Sequence, residues 1–397
     1  MKKEPKIKNK VLRILLRIVI GVVLALVLVG LIYGAYLLID YHRLDDNLEL
    51  AVNGSGYHYE DLNVFNDRDL EITTWNIGFG AYEDDFGFFM DGGTESRARS
   101  EEGLLDNLGR ISDKINGYNS DFLLIQEIDY DSTRARHVDE KTFLEGRVVN
   151  SGVDIIKDGK VIDHANMPKY SWTFADNYDS PYLVYPPDSP IGASKSGIMT
   201  LSTWDFSSSI RRSLPVQKGF AKFLDLDRCY SKNYVPVNAL DGQERYLVLY
   251  NFHMSAYTTD PEIVTRQVEM INNDMLEEYE KGNYVIAGGD FNMDVLGDSS
   301  KYFGIPKDDY SWAKSYPIDK IPEGFTLQAP IDPENPVPSC RNADGPWDPE
   351  TQFQITIDGF ITSDNVIVKD LHVVDENFEN SDHNPVTMMF SLKTMYE

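Results

Sequence analysis

The chain contains 397 residues, of which 42% are apolar and 12% aromatic, and its formal net charge is −27. This composition supports a sizeable hydrophobic core and excludes a globally disordered protein. The two cysteines, Cys229 and Cys340, are too few for a disulfide framework or a zinc site of their own, and they could pair or remain free. The length would hold two average domains, although α/β folds of about 250 residues or more often form one domain.

The N-terminus differs in character from the rest of the chain. Residues 18–39 are uncharged, rich in Val, Leu and Ile, and long enough as a helix to cross a bilayer core of about 30 Å. Residues 1–17 are basic, with Glu4 as their only acid, and an acidic segment follows from Asp40. This asymmetry predicts a cytoplasmic N-terminus at 1–17, a transmembrane anchor at 18–39 and an extracytoplasmic remainder, in a protein that crosses the cell membrane once.

A cleaved signal peptide is an alternative to this anchor. It would have a shorter apolar core followed by a small-x-small cleavage site, and Tyr33, Gly34 and Ala35 make a poor site of that kind. A buried core helix is a second alternative, which the flanking charges disfavour. We therefore expect an uncleaved anchor, followed by a spacer at 40–68.

The charge is distributed very unevenly. Residues 1–43 carry a net charge of +6, so the remainder carries −33. Nucleic acids bind to basic stripes, and anionic lipid headgroups repel an acidic surface. The remainder should therefore not hold a long polyanion by charge alone, although a bound divalent cation can invert the field at an active site.

The first predicted elements each end at a polar residue. Residues 70–75 alternate between apolar and polar side chains and include β-branched residues, which predicts a strand that ends at Asn76. Asn76 is either a turn residue, which is the commoner case, or a polar group aimed into a site. The helical spacing of Leu residues predicts a helix over 100–116, and the apolar run at 121–126 predicts a buried strand before Glu127. An acid directly after a buried strand lies at the carboxyl edge of a sheet, where ligand sites gather.

Further strands and one long helix occupy the middle of the chain. The last strand of this region ends at His253, and a lone His at such a place is more often structural than catalytic. Pro261 follows an Asp at the start of the helix, as is typical of a helix N-terminus. The predicted strands are 170–175, 196–203, 220–226 and 246–252, the predicted helix is 260–279, and 181–195 is a proline-rich loop.

The stretch from 283 to 294 is the most informative of the chain. Residues 284–287 form a short apolar run, typical of a strand buried on both faces, and two glycines follow it. Asp290 and Asn292 are two residues apart, so in an extended backbone both side chains leave the same face. A carboxylate can take a proton from water or bind a metal, and an amide can donate to an oxyanion. The alternative is an ordinary turn, because Gly, Asp and Asn are common turn formers.

The last quarter of the chain supplies three more polar candidates. Residues 299–349 are proline-rich and irregular, and we expect a lid or a side wall there. Residues 352–360 alternate between apolar and polar side chains, which predicts a strand, and Asp358 faces away from the apolar side chains. Asp382 and His383 precede a closing strand at 386–390, and 366–374 predicts another strand.

The polar residues near strand ends form a chemically coherent set. They supply hard oxygen ligands for Mg²⁺ or Mn²⁺ and two imidazoles. The sequence lacks sulfur ligands for zinc, a Gly-x-Ser-x-Gly nucleophile motif and a Walker phosphate loop. What remains is metal-assisted attack of water on a phosphorus ester. The set is Asn76, Glu127, His253, Asp290, Asn292, Asp358, Asp382 and His383.

The order of these motifs resembles the endonuclease/exonuclease/phosphatase superfamily. The resemblance covers about residues 70–391 and implies one α/β catalytic domain at 69–397. That domain would be a four-layer sandwich of two packed mixed β-sheets flanked by helices, here preceded by one transmembrane helix. The motifs are Trp75-Asn76, Gln126-Glu127, Asn251-Phe252-His253, Gly289-Asp290-Phe291-Asn292, Ile357-Asp358-Gly359 and Ser381-Asp382-His383.

The resemblance also implies a role for each residue around a bound Mg²⁺ or Mn²⁺. Glu127 would be the principal metal ligand, with Asn76 and Asp382 near the metal or its waters. Asp290 would position or deprotonate the attacking water, and Asn292 would hold a phosphate oxygen. His383, oriented by Asp358, and His253 would contact the phosphate and stabilise the transition state. The number of metals and the identity of the general base stay open.

The sequence therefore predicts a monomeric, membrane-anchored, extracytoplasmic, Mg²⁺-dependent phosphoesterase. Its substrate could be a lipid headgroup, a nucleic acid or a small phosphate ester. The tether favours a lipid because it raises the effective concentration, and residues 86–90 are a candidate for bilayer contact. A nuclease is the first alternative, which a basic groove of Arg97, Arg99, Arg134, Arg136 and Lys195 would favour. A non-catalytic binding ectodomain on the same fold is the second.

Overall fold

The structure is a computed structural model. The residues that it describes are 6–58, 62–63, 68–157, 160–165, 167–217, 227–239, 242–256, 260–304 and 314–394. The predicted strand at 220–226 lies outside these residues. The helices are α1 Lys6–Asp40, α2 Glu101–Tyr118, α3 Glu140–Leu144, α4 Pro261–Glu280 and α5 Ser300–Phe303, with single 3₁₀ turns at Gly78–Gly80, Phe89–Asp91 and Ile318–Lys320 and a π-helical turn at Glu145–Val149.

Strands are the main regular elements of the folded domain. In chain order they are β1 Leu48–Glu49, β2 Asn53–Gly54, β3 Leu62–Asn63, β4 Leu70–Asn76, β5 Phe122–Asp129, β6 Val153–Lys157, β7 Lys160–Ala165, β8 Ser171–Asp179, β9 Lys195–Ser202, β10 Ser208–Ser213, β11 Cys229–Asn238, β12 Arg245–His253, β13 Tyr284–Asp290, β14 Phe325–Gln328, β15 Cys340–Arg341, β16 Gln354–Ile355, β17 Asp358–Ser363, β18 Val366–Val373 and β19 Val386–Leu392.

Two mixed sheets organise the domain. The first sheet has the strand order β18-β19-β4-β5-β9-β8-β2, and the second has the order β1-β10-β11-β12-β13-β17-β14, with β3 beside β11. Each sheet has a parallel pair at its centre, β4 with β5 and β12 with β13, inside antiparallel neighbours. The paired strands run the same way, so Asn76 lies beside Gln126 and His253 lies beside Asp290. The polar residues at the strand ends are thereby brought to one edge of each sheet.

The two sheets pack face to face, and α2 and α4 cover their outer faces. The hydrophobic layer between the sheets includes Leu124, Leu249, Ile286 and Met388. Leu108 and Ile111 of α2 belong to the core cluster on the outer face of the first sheet, and Ile271 of α4 belongs to that of the second. The layers are therefore helix, sheet, sheet and helix, as predicted.

Local signals set the ends of the long helices as expected. Ser100 accepts a hydrogen bond from the Gly103 N–H at the start of α2, and Asp260 accepts one from the Glu262 N–H at the start of α4. Asn119 ends α2 in the left-handed region at φ 56°. The predicted strand at 352–360 is instead two strands, β16 and β17, because the Ser339 hydroxyl accepts the Ile357 and Asp358 N–H groups between them.

The segment expected to be a spacer carries strands β1, β2 and β3, which pair with strands of the two sheets. Arg43 also forms an ion pair with Asp227 at 2.9 Å. Helix α1, which precedes this segment, spans 35 residues, and its length and composition would allow it to cross a membrane. The helix therefore leads directly into segments that are paired with the domain.

Both cysteines should be inert in the native protein. Cys229 and Cys340 are free and buried, and burial raises the pKa of each thiol to about 12. Because the thiolate is the reactive species, iodoacetamide at about pH 8 should modify neither cysteine before unfolding and both after it. Mass spectrometry of the native and guanidinium-unfolded protein measures this. Rapid labelling of a native thiol, or a disulfide between the two, would contradict the structure.

Candidate active site

The amide of Asn76 connects the two sheets at the site. Asn76 is the last residue of β4, and its Nδ2 donates to Glu127 Oε1 of the first sheet at 3.2 Å and to Asp290 Oδ2 of the second at 3.1 Å. Its Oδ1 accepts the Gly78 N–H at 3.0 Å, which fixes the orientation of the amide. Asn76 therefore holds the carboxylates of both sheets at one point.

Glu127 occupies an irregularity of β5. The pairing register with β9 shifts between Ile125 and Ile128, and the backbone of Glu127 has φ 55°, which is uncommon for a residue other than glycine. Such a bulge re-aims a side chain out of the strand alternation. Glu127 lines the cavity described below, with its Oε2 at 3.8 Å from Nη2 of Arg134.

Asp290 lies between two imidazoles. Its Oδ2 is 3.3 Å from Nε2 of His253 and 3.9 Å from Nε2 of His383, and its Oδ1 accepts the N–H of Asn292 at 2.7 Å. Burial raises the pKa of Asp290 to about 7, with the nearby Asp358 acting in the same direction and His383 opposing it. A carboxyl with such a pKa can exchange a proton with water near neutral pH.

The two imidazoles differ in charge. Burial, Arg228 and His383 lower the pKa of His253 well below its ordinary value, so this ring is neutral. Burial also disfavours the cation at His383, but its contact with Asp358 dominates and raises the pKa well above the ordinary value. His383 is therefore an imidazolium beside Asp290, and His253 is a neutral imidazole beside the same carboxyl.

A serine that the sequence did not single out fixes this charged pair. His383 Nδ1 donates to Asp358 Oδ2 at 2.8 Å, and the Ser339 hydroxyl donates to the same oxygen at 2.7 Å. The bond at Nδ1 leaves Nε2 of His383 to face the site. Ser339 lies in the proline-rich stretch at 299–349, where nothing in the local sequence signals a functional residue.

Asn292 reaches the site through a strained backbone. It has φ 49°, in the left-handed region that Asn tolerates better than most residues. Its Nδ2 donates to the Met254 carbonyl at 2.8 Å and lies 3.3 Å from Asp290 Oδ2. The amide therefore connects the ends of β12 and β13 and borders the cavity.

These residues border a cavity of about 390 Å³ with two unlike walls. One wall is polar and includes three buried arginines, of which Arg228 and Arg341 were not anticipated from the sequence. Asn76 and Asp358 lie behind this wall, so all eight predicted site residues are brought together. The polar wall includes Glu127, Arg134, Arg228, His253, Asp290, Asn292, Arg341, Asp382 and His383; the apolar wall includes Tyr82, Phe88, Phe89, Met90, Tyr178, Leu183, Tyr185 and Ile191.

The basic groove that would favour a nuclease does not form as a free cationic surface. Arg99 pairs with both Asp85 and Glu95, at 2.6 and 2.5 Å. Lys195 lies 3.8 Å from Asp131. Arg134 forms two hydrogen bonds with Asp129, and Arg136 donates to backbone carbonyls. Four of the five side chains of the predicted groove are therefore engaged with other groups of the domain.

A sequence profile of the Endonuclease/Exonuclease/phosphatase family matches residues 73–383, from the middle of β4 to His383. The chain belongs to this family. Members of the family hydrolyse phosphate esters and generally use divalent metal ions. No curated protein sequence matches the chain.

Solved structures of the family share the fold. An endonuclease/exonuclease/phosphatase from Beutenbergia cavernae DSM 12333 is 16% identical, with a TM-score of 0.51 over 82% of this chain and 72% of that one. ANGEL2, a 2′,3′-cyclic phosphatase solved with adenosine-2′,3′-vanadate, is 13% identical, with a TM-score of 0.50 over 87% and 99%. The catalytic domain of human Nocturnin is 14% identical, with a TM-score of 0.47 over 87% and 97%. At these low identities the first two likenesses show the fold alone.

The oxygen ligands of the site fit a divalent cation. Burial raises the pKa of Asp382, and the charge of Glu127 adds to that effect. Two carboxylates that disfavour each other in one cavity provide the hard oxygen donors that Mg²⁺ and Mn²⁺ prefer. One candidate ligand atom from each of Asp290, Asp358 and His383 also lies within 4.8 Å of the other two. Because His383 Nδ1 is already hydrogen-bonded to Asp358, these three groups are less suited to a metal than the carboxylates of Glu127 and Asp382.

Asp290 should make the metal-free protein less stable as pH rises. Its folded pKa is raised to about 7, so the folded state keeps a proton that the unfolded carboxyl loses at lower pH. The contribution of Asp290 to the free energy of unfolding is therefore fully present at low pH, and it is lost as the pH rises through the folded pKa. Relative to Asp290→Asn, the wild type should therefore lose free energy of unfolding between about pH 5 and about pH 7.

Denaturant unfolding in EDTA at both pH values measures this difference. Asp319→Asn, at an exposed carboxyl outside the cavity lining, is the matched control and should keep the wild-type pH dependence. An Asp290→Asn protein with the pH dependence of the wild type would show that Asp290 does not titrate as described.

Proposed function

We propose that the protein is a membrane-anchored, metal-dependent phosphoesterase that hydrolyses a phosphodiester or phosphomonoester by attack of water on phosphorus. One observation carries the proposal. Asp290 Oδ2 lies 3.3 Å from Nε2 of His253 and 3.9 Å from Nε2 of His383, the ring that Asp358 holds at Nδ1 and whose pKa it raises. This arrangement places a proton acceptor and a proton donor at one point of a cavity.

Oxygen ligands for the metal lie beside this group. Glu127 and Asp382 would hold Mg²⁺ or Mn²⁺, and Asn76, whose amide donates to Glu127 Oε1, would orient Glu127. When bound, the cation would act as a Lewis acid that stabilises negative charge on the phosphate. The three buried arginines of the polar wall would add to that stabilisation.

The chain's own residues supply the proton transfers. Asp290 would orient the attacking water and take its proton as the new bond between oxygen and phosphorus forms. His383, charged and held by Asp358, would donate a proton as the ester P–O bond to the leaving alcohol breaks. Neutral His253 and Asn292 would orient phosphate oxygens and the carboxyl of Asp290. General acid and base catalysis of this kind contributes about 10²- to 10⁴-fold each.

The two other functions are less well supported. A nuclease needs cationic surface along the strand, and the ion pairs of Arg99 and Lys195 remove much of it. A non-catalytic ectodomain would have no need to keep eight polar residues together at one cavity. The basic segment at 1–17 supports a cytoplasmic N-terminus with the domain on the outer side of the cell membrane, where we expect a monomer.

Hydrolysis of chromogenic esters by the full-length protein tests the proposal. With Mg²⁺ or Mn²⁺, bis-p-nitrophenyl phosphate or p-nitrophenyl phosphate should be hydrolysed, and EDTA should abolish the reaction. Asp290→Asn and His383→Ala should lower kcat by about 10²-fold or more while the fold, measured by circular dichroism, is kept. Millimolar metal should also raise Tm, because it binds only the folded state.

Asp319→Asn serves as the control for substitution of an aspartate and should keep wild-type kcat. No turnover of either ester together with no rise in Tm would contradict the enzyme and favour a binding domain. If Asp290→Asn hydrolyses the esters as fast as the wild type, Asp290 is not part of the mechanism, although the protein is still a phosphoesterase.

A further inference from the structure

Most of the apolar wall of the cavity comes from two loops that contact each other. Phe88, Phe89 and Met90 come from the loop after β4, and Leu183, Tyr185 and Ile191 come from the loop between β8 and β9. The rings of Phe89 and Tyr185 are in edge contact, with centroids 5.7 Å apart. A charged phosphate group is not stabilised by contact with apolar side chains. The apolar wall therefore indicates that the rest of the substrate is apolar.

The outer side of these loops is exposed and apolar. Met90, Tyr182, Val184 and Tyr185, together called the rim here, are 51%, 41%, 48% and 60% exposed. Among the described residues that follow α1, nine large apolar side chains are exposed, and the rim holds four of them. Phe86 and Phe88 of the predicted bilayer-contact stretch are instead buried in the domain core.

The membrane-spanning candidate α1 ends against the same loop. The Tyr33 hydroxyl donates to the Tyr182 carbonyl at 3.1 Å, and the Tyr36 hydroxyl accepts the Tyr182 N–H at 2.8 Å. Leu37 is buried against Leu183, with Ile191 packed in the same cluster. Leu183 thus touches α1 on one side and the cavity on the other.

These contacts fix the cavity relative to a membrane. The apolar side chains of α1 from Val11 to Ile32, and again Leu38 and Ile39, are exposed, as a bilayer-spanning segment requires. Tyr33 and Tyr36 lie in the last two turns of the predicted span at 18–39, near the end at which aromatic residues mark the boundary between lipid and water. Since Tyr182 is bonded to both tyrosines, the rim and the cavity mouth would lie at that boundary when α1 spans a membrane.

We propose that the substrate is a membrane phospholipid, whose phosphate reaches the polar wall while its apolar part stays along the rim and the bilayer. This inference rests on the proposed phosphoesterase function and deepens it. The remainder of the chain carries a charge of −33, which anionic lipid would repel, so a zwitterionic headgroup fits better than an anionic one. Water adds to phosphorus, one ester P–O bond breaks, and the leaving alcohol oxygen takes a proton.

Activity in a reconstituted bilayer tests the substrate class. Full-length protein in phosphatidylcholine nanodiscs with Mg²⁺ or Mn²⁺ should cleave the surrounding lipid, measured by mass spectrometry. The double variant Tyr182→Glu, Val184→Glu, neither of whose side chains lines the cavity, should lower lipid turnover by about tenfold or more. It should leave the rate on bis-p-nitrophenyl phosphate unchanged. Ile367→Glu, at another exposed apolar residue, is the matched control and should leave both rates unchanged.

The outcomes separate this inference from the proposed function. If bis-p-nitrophenyl phosphate is hydrolysed but phosphatidylcholine is not, or the double variant cleaves lipid as fast as Ile367→Glu, the lipid inference is wrong and the phosphoesterase stands. Faster cleavage of a single-stranded oligonucleotide than of lipid would also overturn it. No hydrolysis of any substrate would overturn both.

The position of the rim has a readout that needs no activity. A tryptophan at Val184→Trp should be quenched by brominated phosphatidylcholine in the nanodisc, because the rim lies at the lipid boundary. Ile367→Trp, at the start of the edge strand β18, should show only the quenching of the native tryptophans. Equal quenching of the two variants would contradict the placement of the cavity mouth at the membrane.

Discussion

The site depends on one buried amide that is shared between the two sheets. Asn76 donates to a carboxylate of each sheet, and its own orientation is fixed by the Gly78 N–H. Without that donor, Glu127 Oε1 and Asp290 Oδ2 would each lose a hydrogen bond in a buried site, where an acceptor left without its partner is costly. The packing of the sheets and the chemistry of the cavity therefore rely on the same hydrogen bonds.

The pKa values of the two histidines shift in opposite directions because the rings have different neighbours. His383 has the Asp358 carboxylate at 2.8 Å and is held as a cation, while His253 is buried near Arg228 and stays neutral. The sequence places both rings at strand ends in the same way. Only the fold decides which of them can donate a proton.

Sequence patterns predicted the strand ends well because parallel neighbours collect those ends at one edge, as Asn76 and Asp290 show. The patterns did not predict Ser339 or Arg341, which come from an irregular segment where no periodicity exists. Nor did they predict the backbone of Glu127, whose φ of 55° belongs to a register shift between two strands. Such features depend on contacts between residues far apart in the chain, which composition and spacing do not encode.

The hydrogen bonds from α1 to Tyr182 bear on any form of the protein released by proteolysis. A cut after Asp40 would remove Tyr33, Tyr36 and Leu37, leaving the Tyr182 N–H without its acceptor and exposing Leu183. Because Leu183 also forms part of the cavity wall, the shed fragment would have a looser wall as well as a new location. Anchorage and the shape of the cavity would then be lost in a single cleavage event.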